Sequence, residues 1–525
     1  MVSAAGYEQP RTSIHYSLPQ TPPTGMLLGY DIGSSAIKAA LLNPETVTVV
    51  ASARAPSGEE MSMEAPRPGW AEQPPERWWH HIQAATRALS GQADADLQAV
   101  QAIGITYQMH GLVLVDKAHE VLRPSIIWCD SRAVDLGNEA FEALGREWCL
   151  SHLLNSPGNF TASKLAWVKR NEPDVYDRIH KAMLPGDYIA LKLTGTIGTT
   201  PSGLSEGTLW DVKHQDLAVD LVDYFDLDPD LWPEPLPTFS EQGALTASAA
   251  SALGLPSGIP VAYRAGDQPN NAFSLNVLDP GELAATAGTS GVVYGVGDEP
   301  EYDPQSRVNT FLHVNHDAEK HPRYGTLMCV NGTGILNRWL HDTLANSDAL
   351  SYEQMNEQAA QAPIGAEGLT VLPFGNGAER TLGNRHLGAS VHGLNFNVHN
   401  RAHLLRAAQE GIVFALRYGL DIMRNMGLSA ETVRAAHANM FLSPIFANAF
   451  ATITDTTVEL LRTDGAEGAA RGAGVGIGLY PTPNDAFEGL KPVKTVLPST
   501  ERASAYAEAY DRWTRILNHK INHKT

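Results

Sequence analysis

The 525-residue sequence predicts an α/β protein of two lobes that face each other across a cleft. Three observations lead there. The chain is about three times the length of an ordinary domain. An apolar strand, a turn of small residues and a second apolar strand occur twice about half a chain apart, as MLLGYDIGSSAIKAALLN at 26–43 and LAATAGTSGVVYGV at 283–296. Residues 402–426 carry Leu405, Ala408, Ile412, Leu416, Leu420 and Met423 at three- and four-residue spacing and stop at Gly427, the pattern of a helix with one face in a core.

Taken in order, residues 1–25 are rich in Pro, Ser and Thr, lack the apolar stretch of a signal peptide, and read as a loose extension. In the first strand–turn–strand unit Gly33 answers the need for a positive φ or a close backbone approach, and VTVVASA at 47–53 adds a third strand. If the two small-residue turns point into the cleft, each offers backbone N–H groups and hydroxyls to a phosphate chain. A carboxylate at the end of the first strand, Asp31, then has a role as a ligand of magnesium or its water. Between the duplicated units lies RAGDQPNNAF, 264–273, which reads locally as a helix start with Asp267 capping free N–H groups. The run GAARGAGVGIG at 468–478 does not fit a dinucleotide fingerprint and reads as a helix packed close to its neighbours.

Composition narrows the function. Lys plus Arg total 38 against 58 Asp plus Glu, a net charge of −20, which argues against nucleic acid or an anionic membrane as the main partner. The three cysteines, Cys129, Cys149 and Cys329, are far apart and support neither a disulfide framework nor a zinc site. They suit a reducing compartment, and without an apolar run of membrane length the expectation is a cytoplasmic protein. Gly-Lys never occurs, so there is no Walker A loop, and the histidines pair only loosely, as in His80-His81, which points to no metal site.

Several motifs in register resemble one family. GITYQMHGLVLVD with LRPSIIWCDSRA between 104 and 133, PGWAEQPPERWW at 68–79, SKLAWVKRNEPDVYDRI at 163–179, LPGDYIALKLTG at 184–195 and TAGTSG at 286–291 are similar to the FGGY carbohydrate kinases, across nearly all of 26–490. The resemblance implies two ribonuclease-H-like, actin-like ATPase domains with an interdomain cleft for ATP and sugar. The N-terminal domain, with sugar site and first phosphate loop, would span 26–262, the C-terminal ATP-binding domain 263–490, and a helical tail 491–525.

By the same resemblance Asp267 is the catalytic base toward the accepting sugar hydroxyl, and Met109, His110 and Gln268 contact the sugar. Asp130 and Arg132, from a Trp-x-Asp-x-Arg motif starting at Trp128, either shape the sugar pocket or form a surface ion pair. Gly33, Ser34, Ser35, Gly288, Thr289 and Ser290 would meet the phosphates, with Gly332, Thr333 and Gly334 along the ATP path. Ala438 and Asn439 would line the base pocket, where most relatives have Gly-Gly-Gly and this chain has His437-Ala438-Asn439. The implied substrates are ATP, with Mg2+, and a small sugar, first of all a ketopentose; a homodimer is an open arrangement. More distant alternatives are an actin-like ATPase, which would hydrolyse ATP without sugar, and a sugar-binding regulator, in which Asp31 or Asp267 would be altered. Both carboxylates are present.

Overall fold

The computed structural model describes residues 25–344 and 350–523. The extension expected at 1–25 therefore lies, Gly25 apart, outside the described residues. Two sheets organise the molecule, and they share one topology. In the first, strand Met26–Ile32 pairs antiparallel with Ile37–Asn43, which pairs antiparallel with Thr48–Ala55; on its other side Met26–Ile32 runs parallel to Val100–Tyr107, and that strand parallel to Val261–Gly266. The second repeats this plan. Leu283–Ala287, Gly291–Gly297 and Tyr324–Val330 form the antiparallel meander, while Thr432–Ala436 and Thr457–Leu461 are the parallel strands on the other flank. Asn309–Leu312 and Lys494–Val496 extend its two edges.

Two details differ from the sequence reading. Val261–Gly266 is an edge strand of the first sheet, so the division between lobes falls after Gly266 rather than within that strand at 262. The segment 491–525 is less a tail than a part of the second core: Lys494–Val496 joins its sheet, and helix Thr500–His523 buries Trp513 and Leu517 completely, with Trp513 Nε1 donating to the Val371 carbonyl at 3.0 Å.

The second core also takes helix Arg401–Asn425, whose Leu405, Ile412, Leu416, Leu420 and Met423 are all at most 1% exposed. Gly427, at φ 87°, ends it. Helix Pro75–Ser90 covers one face of the first sheet with Trp78, Ile82, Ala85 and Leu89. The other face is covered by a helix from late in the chain, Gly465–Gly476, which follows the last parallel strand of the second sheet.

Small residues permit that contact. A Cβ on Gly29 would stand 1.9 Å from the Ala466 carbonyl oxygen, and one on Gly104 1.9 Å from that of Ala469, so only a bare backbone lets helix and sheet meet this closely. Helix Asp267–Ser274, which follows the last strand of the first sheet, packs against Gly465–Gly476. The buried Asn270 joins the pair, its Nδ2 donating to the Gly465 carbonyl at 2.9 Å. Both helices thus begin at the junction between lobes.

Candidate active site

Asp267 is the first residue of its helix, but it does not cap it. The N-cap is Gly266, and no side chain serves as cap there. The carboxyl is instead free for the cleft, where Gln268 Nε2 donates to its Oδ1 at 3.2 Å. Burial, and then the nearby Asp31 carboxylate, raise its pKa from the ordinary 3.8 to about 7, against the opposing effects of Gln268 and Lys38.

Asp31 lies at the end of the first strand, opposite Lys38 in the hairpin register. Lys38 Nζ stands 3.4 Å from its Oδ2. Burial raises the Asp31 pKa, Lys38 opposes it, and the like charge of Asp464 adds to it. Asp464 caps helix Gly465–Gly476 by accepting from the Glu467 N–H at 3.0 Å, and the first turn of that helix closes on Asp31 so tightly that a Cβ on Gly465 would sit 2.9 Å from Asp31 Oδ2. Three carboxyl groups with one lysine leave negative charge in excess at this junction, which suits a hard dication such as Mg2+ beside Asp31.

His110 forms part of the wall beside the base. Its backbone is left-handed at φ 61°, held by buried Lys164, whose Nζ donates to the His110 carbonyl at 2.7 Å and to that of Ile127 at 3.1 Å. Its ring packs edge-on against Phe160, at 4.8 Å, and leans on Phe311. Burial, with Lys164 adding, lowers its pKa to about 3, so the ring is neutral; Nδ1 donates to the Glu206 carbonyl at 2.8 Å and Nε2 keeps its lone pair. The Met109 side chain is buried with the same two phenylalanines. Burial of Lys164 lowers its own pKa to about 7.

Glu206 completes this wall. It is 1% exposed and ends helix Pro201–Glu206, and its carboxyl is so close to the backbone before the base that a Cβ on Gly266 would meet Oε2 at 2.2 Å. Burial drives its pKa well above the carboxylate range, and the Asp267 charge pushes the same way. Burial thus favours its uncharged form.

Asp130 and Arg132 are neither a surface pair nor presented to a ligand. Both side chains are 0% exposed; Asp130 Oδ2 accepts from the Ala71 N–H and from Arg132 Nη2, and Oδ1 from the Arg132 N–H and Nε. Arg132 also meets Glu72 at 2.7 Å and lies over the Trp70 ring at 3.8 Å. With both Asp130 oxygens engaged, this buried network braces the wall from behind.

The two small-residue turns differ in what surrounds them. Around the first, Gly33 N–H donates to the Ala36 carbonyl, Gln73 Nε2 to the Ser34 carbonyl, the Met61 N–H to the Ser35 carbonyl and Trp128 Nε1 to Ser34 Oγ. Gly33 does not take a positive φ; a Cβ there would come 3.0 Å from the Ala36 oxygen, so closeness alone favours glycine. Gly288 and Thr289 line a cavity of about 370 Å³ together with Gly334, Arg338, Asn439 and Ser443. The Gly334 N–H donates to the Gly288 carbonyl at 2.8 Å, which ties turn to helix. Ser290 lies beside the half-buried Cys329 thiol.

Gly332 and Thr333 are turned away from that cavity. A Cβ on Gly332 would meet the Pro373 oxygen at 1.7 Å, and the buried Thr333 hydroxyl donates to the Val330 carbonyl at 2.9 Å, so both residues serve packing instead of the nucleotide path. Asn439 takes a left-handed φ of 53°, which an asparagine tolerates better than most side chains. Ala438 opens onto a neighbouring cavity of about 640 Å³ shared with His437, Asp464 and Val49.

Of the functional neighbours that sequence reasoning missed, Lys38 had a signal: a hairpin symmetric about Ser34 and Ser35 sets it opposite Asp31. Glu206, Lys164 and Asp464 had none.

Two α/β lobes of one topology, with carboxylates at the heads of the helices between them and a nucleotide-sized cavity beside one phosphate-type turn, define a two-lobed phosphotransferase. The description "FGGY family of carbohydrate kinases, N-terminal domain" matches residues 26–274 and the corresponding C-terminal domain residues 283–475; the chain belongs to this family and is a xylulokinase-type carbohydrate kinase that uses ATP and a sugar. It is 31% identical over 499 residues to the xylulose kinase of Escherichia coli K12, covering 94% of this chain and 98% of that protein. With the xylulose kinase of Bacillus subtilis it shares 28% over 505 residues, 94% and 97% of the two chains. The crystal structure of xylulose kinase from Rhodospirillum rubrum superposes with a TM-score of 0.82 at 27% identity, covering 94% of this chain and 98% of that one. Among the described residues no helix is long and apolar enough to cross a membrane.

Proposed function

We propose that the protein transfers the γ-phosphoryl group of ATP to the terminal hydroxyl of D-xylulose, with Asp267 as base. One observation carries this reading: a cleft carboxyl with its pKa raised to about 7 stands at the junction of the lobes, between a neutral histidine wall and the Asp31 turn. A base of that pKa is half ionised near neutrality and accepts the hydroxyl proton as the bond forms.

The steps follow from the residues. The sugar lies along Met109 and His110, with His110 Nε2 accepting from one hydroxyl. Gln268 keeps the Asp267 carboxylate oriented, and that carboxylate takes the proton of the attacking hydroxyl. The oxygen bonds to the γ-phosphorus as the bridging P–O bond breaks, and ADP leaves with the electron pair. Because this transition state is loose, alignment contributes more than early deprotonation. Asp31 with Asp464 would hold Mg2+, which when bound offsets the charge of the phosphates. The turns at 33–35 and 288–290 offer N–H groups to the phosphate chain, and the cavity at Gly334 and Asn439 suits the nucleoside. Closure of the lobes excludes water and limits hydrolysis.

The names of the relatives favour D-xylulose among ketoses. ADP release is measured against a panel of pentuloses, hexuloses and polyols. A rate increase confined to D-xylulose is expected; equal rates across the panel, or full ADP release without sugar, would overturn the assignment.

A further inference from the structure

Away from the cleft, three potential metal-binding side chains converge on the outer face of the first lobe. His152 lies in the last turn of helix Arg146–Leu153, and Asp211 and His214 in the hairpin that starts with Trp210–Asp211. The Asp211 Oδ1 accepts from the N–H groups of Lys213 and His214, at 2.9 and 3.2 Å. That fixes the carboxylate and leaves Oδ2 directed outward. Both imidazoles aim at this single oxygen, His152 Nδ1 and His214 Nδ1 each at 2.8 Å.

We propose that His152, Asp211 and His214 form a binding site for one divalent transition-metal ion of the zinc class. Two imidazole nitrogens and a carboxylate oxygen are the donors borderline cations prefer. The three donor atoms all lie within 4.8 Å of one another. Zinc at about 2.0–2.2 Å from each would hold them roughly 3.3–3.6 Å apart, so side-chain rotation alone closes the set.

The surroundings fit a site with one protected and one open side. Asp211 is 5% exposed and His152 15%, while His214 is 70% exposed and leaves the solvent side free for water. Trp148 stacks on the His152 ring at 4.9 Å and fixes its plane. The neighbouring Lys213 is drawn off to Ser151 Oγ at 3.0 Å. Bound metal would clamp helix Arg146–Leu153 to a hairpin that begins shortly after Glu206.

The test is calorimetric titration of ZnCl2 into the untagged, chelator-treated full chain, with the thermal midpoint as second readout. One equivalent should bind with a dissociation constant of about 1 µM or tighter, and should raise the midpoint. His214→Ala, whose side chain is mostly exposed and touches only the cluster itself, should lose roughly 100-fold or more in affinity and lose the shift while keeping its sugar kinase turnover. His519→Ala, which breaks the stacked His519–His523 pair on another surface, should leave both intact. Absence of binding by the unmodified chain, or equal binding by His214→Ala, would overturn the proposal.

Discussion

Replacing Asp267 with Asn tests the base and its surroundings together, because it should remove turnover while making the fold more stable. The carboxyl has a pKa of about 7 in the folded chain against an ordinary 3.8, so the fold prefers it protonated. The penalty for ionising it is absent below pH 3.8, grows as pH rises, and is complete above about pH 7. A gap of about 3 units at about 1.4 kcal/mol each gives some 4 kcal/mol, and water in the cleft lowers that to about 2–4 kcal/mol. Asparagine keeps the shape and is uncharged throughout. At pH 8 the Asp267→Asn chain should therefore melt roughly 2–4 °C higher than the parent, and at pH 5.5 the difference should be about half as large. Its kcat should fall by roughly 10² to 10⁴ while ATP still binds. Differential scanning calorimetry at the two pH values and coupled ADP assays read the two effects. Near-parental turnover would remove Asp267 as base, and an equal or lower midpoint at pH 8 would refute the assigned environment.

Two further outcomes follow from the same geometry. The kcat/KM for sugar should fall about tenfold per unit below pH 6, with an apparent pKa near 7, and Glu206→Gln should leave that limb in place, since Glu206 is already uncharged there; pH–rate profiles that move by more than about half a unit in the variant would show Glu206 to be ionised. Gly104→Ala should destabilise the chain by about 3 kcal/mol or more, because its Cβ would sit 1.9 Å from the Ala469 oxygen; a thermal midpoint within about 1 °C of the parent would contradict the close packing of helix on sheet.

The lobes, their repeated strand–turn–strand units and the helix now seen at Arg401–Asn425 were legible in sequence because each depends on local periodicity or on a turn of small residues. Asp267 was legible as a residue but its local reading as a cap was not, since a cap is decided by where the oxygen points and here the cleft claims it. Gly332 and Thr333 look like loop residues facing a ligand; only the backbone at Pro373 and the Val330 carbonyl turn them inward. The buried Asp130–Arg132 network was equally hidden, because its other members, Glu72 and Trp70, are some sixty residues away in the chain. Glu206 and the His152–Asp211–His214 cluster depend on the same long-range closure, which spacing does not encode.

The helix Gly465–Gly476 has a consequence for how the molecule is made. It supplies the lid of the N-terminal sheet, yet it is translated after nearly nine-tenths of the chain. Until the ribosome reaches it, the earlier half carries an oily surface around Leu27, Ala102 and Tyr263 that its own Phe239, stacked on Tyr263, covers only in part. The two halves therefore mature together, and a gene split between them would yield two fragments of which the first lacks its cover.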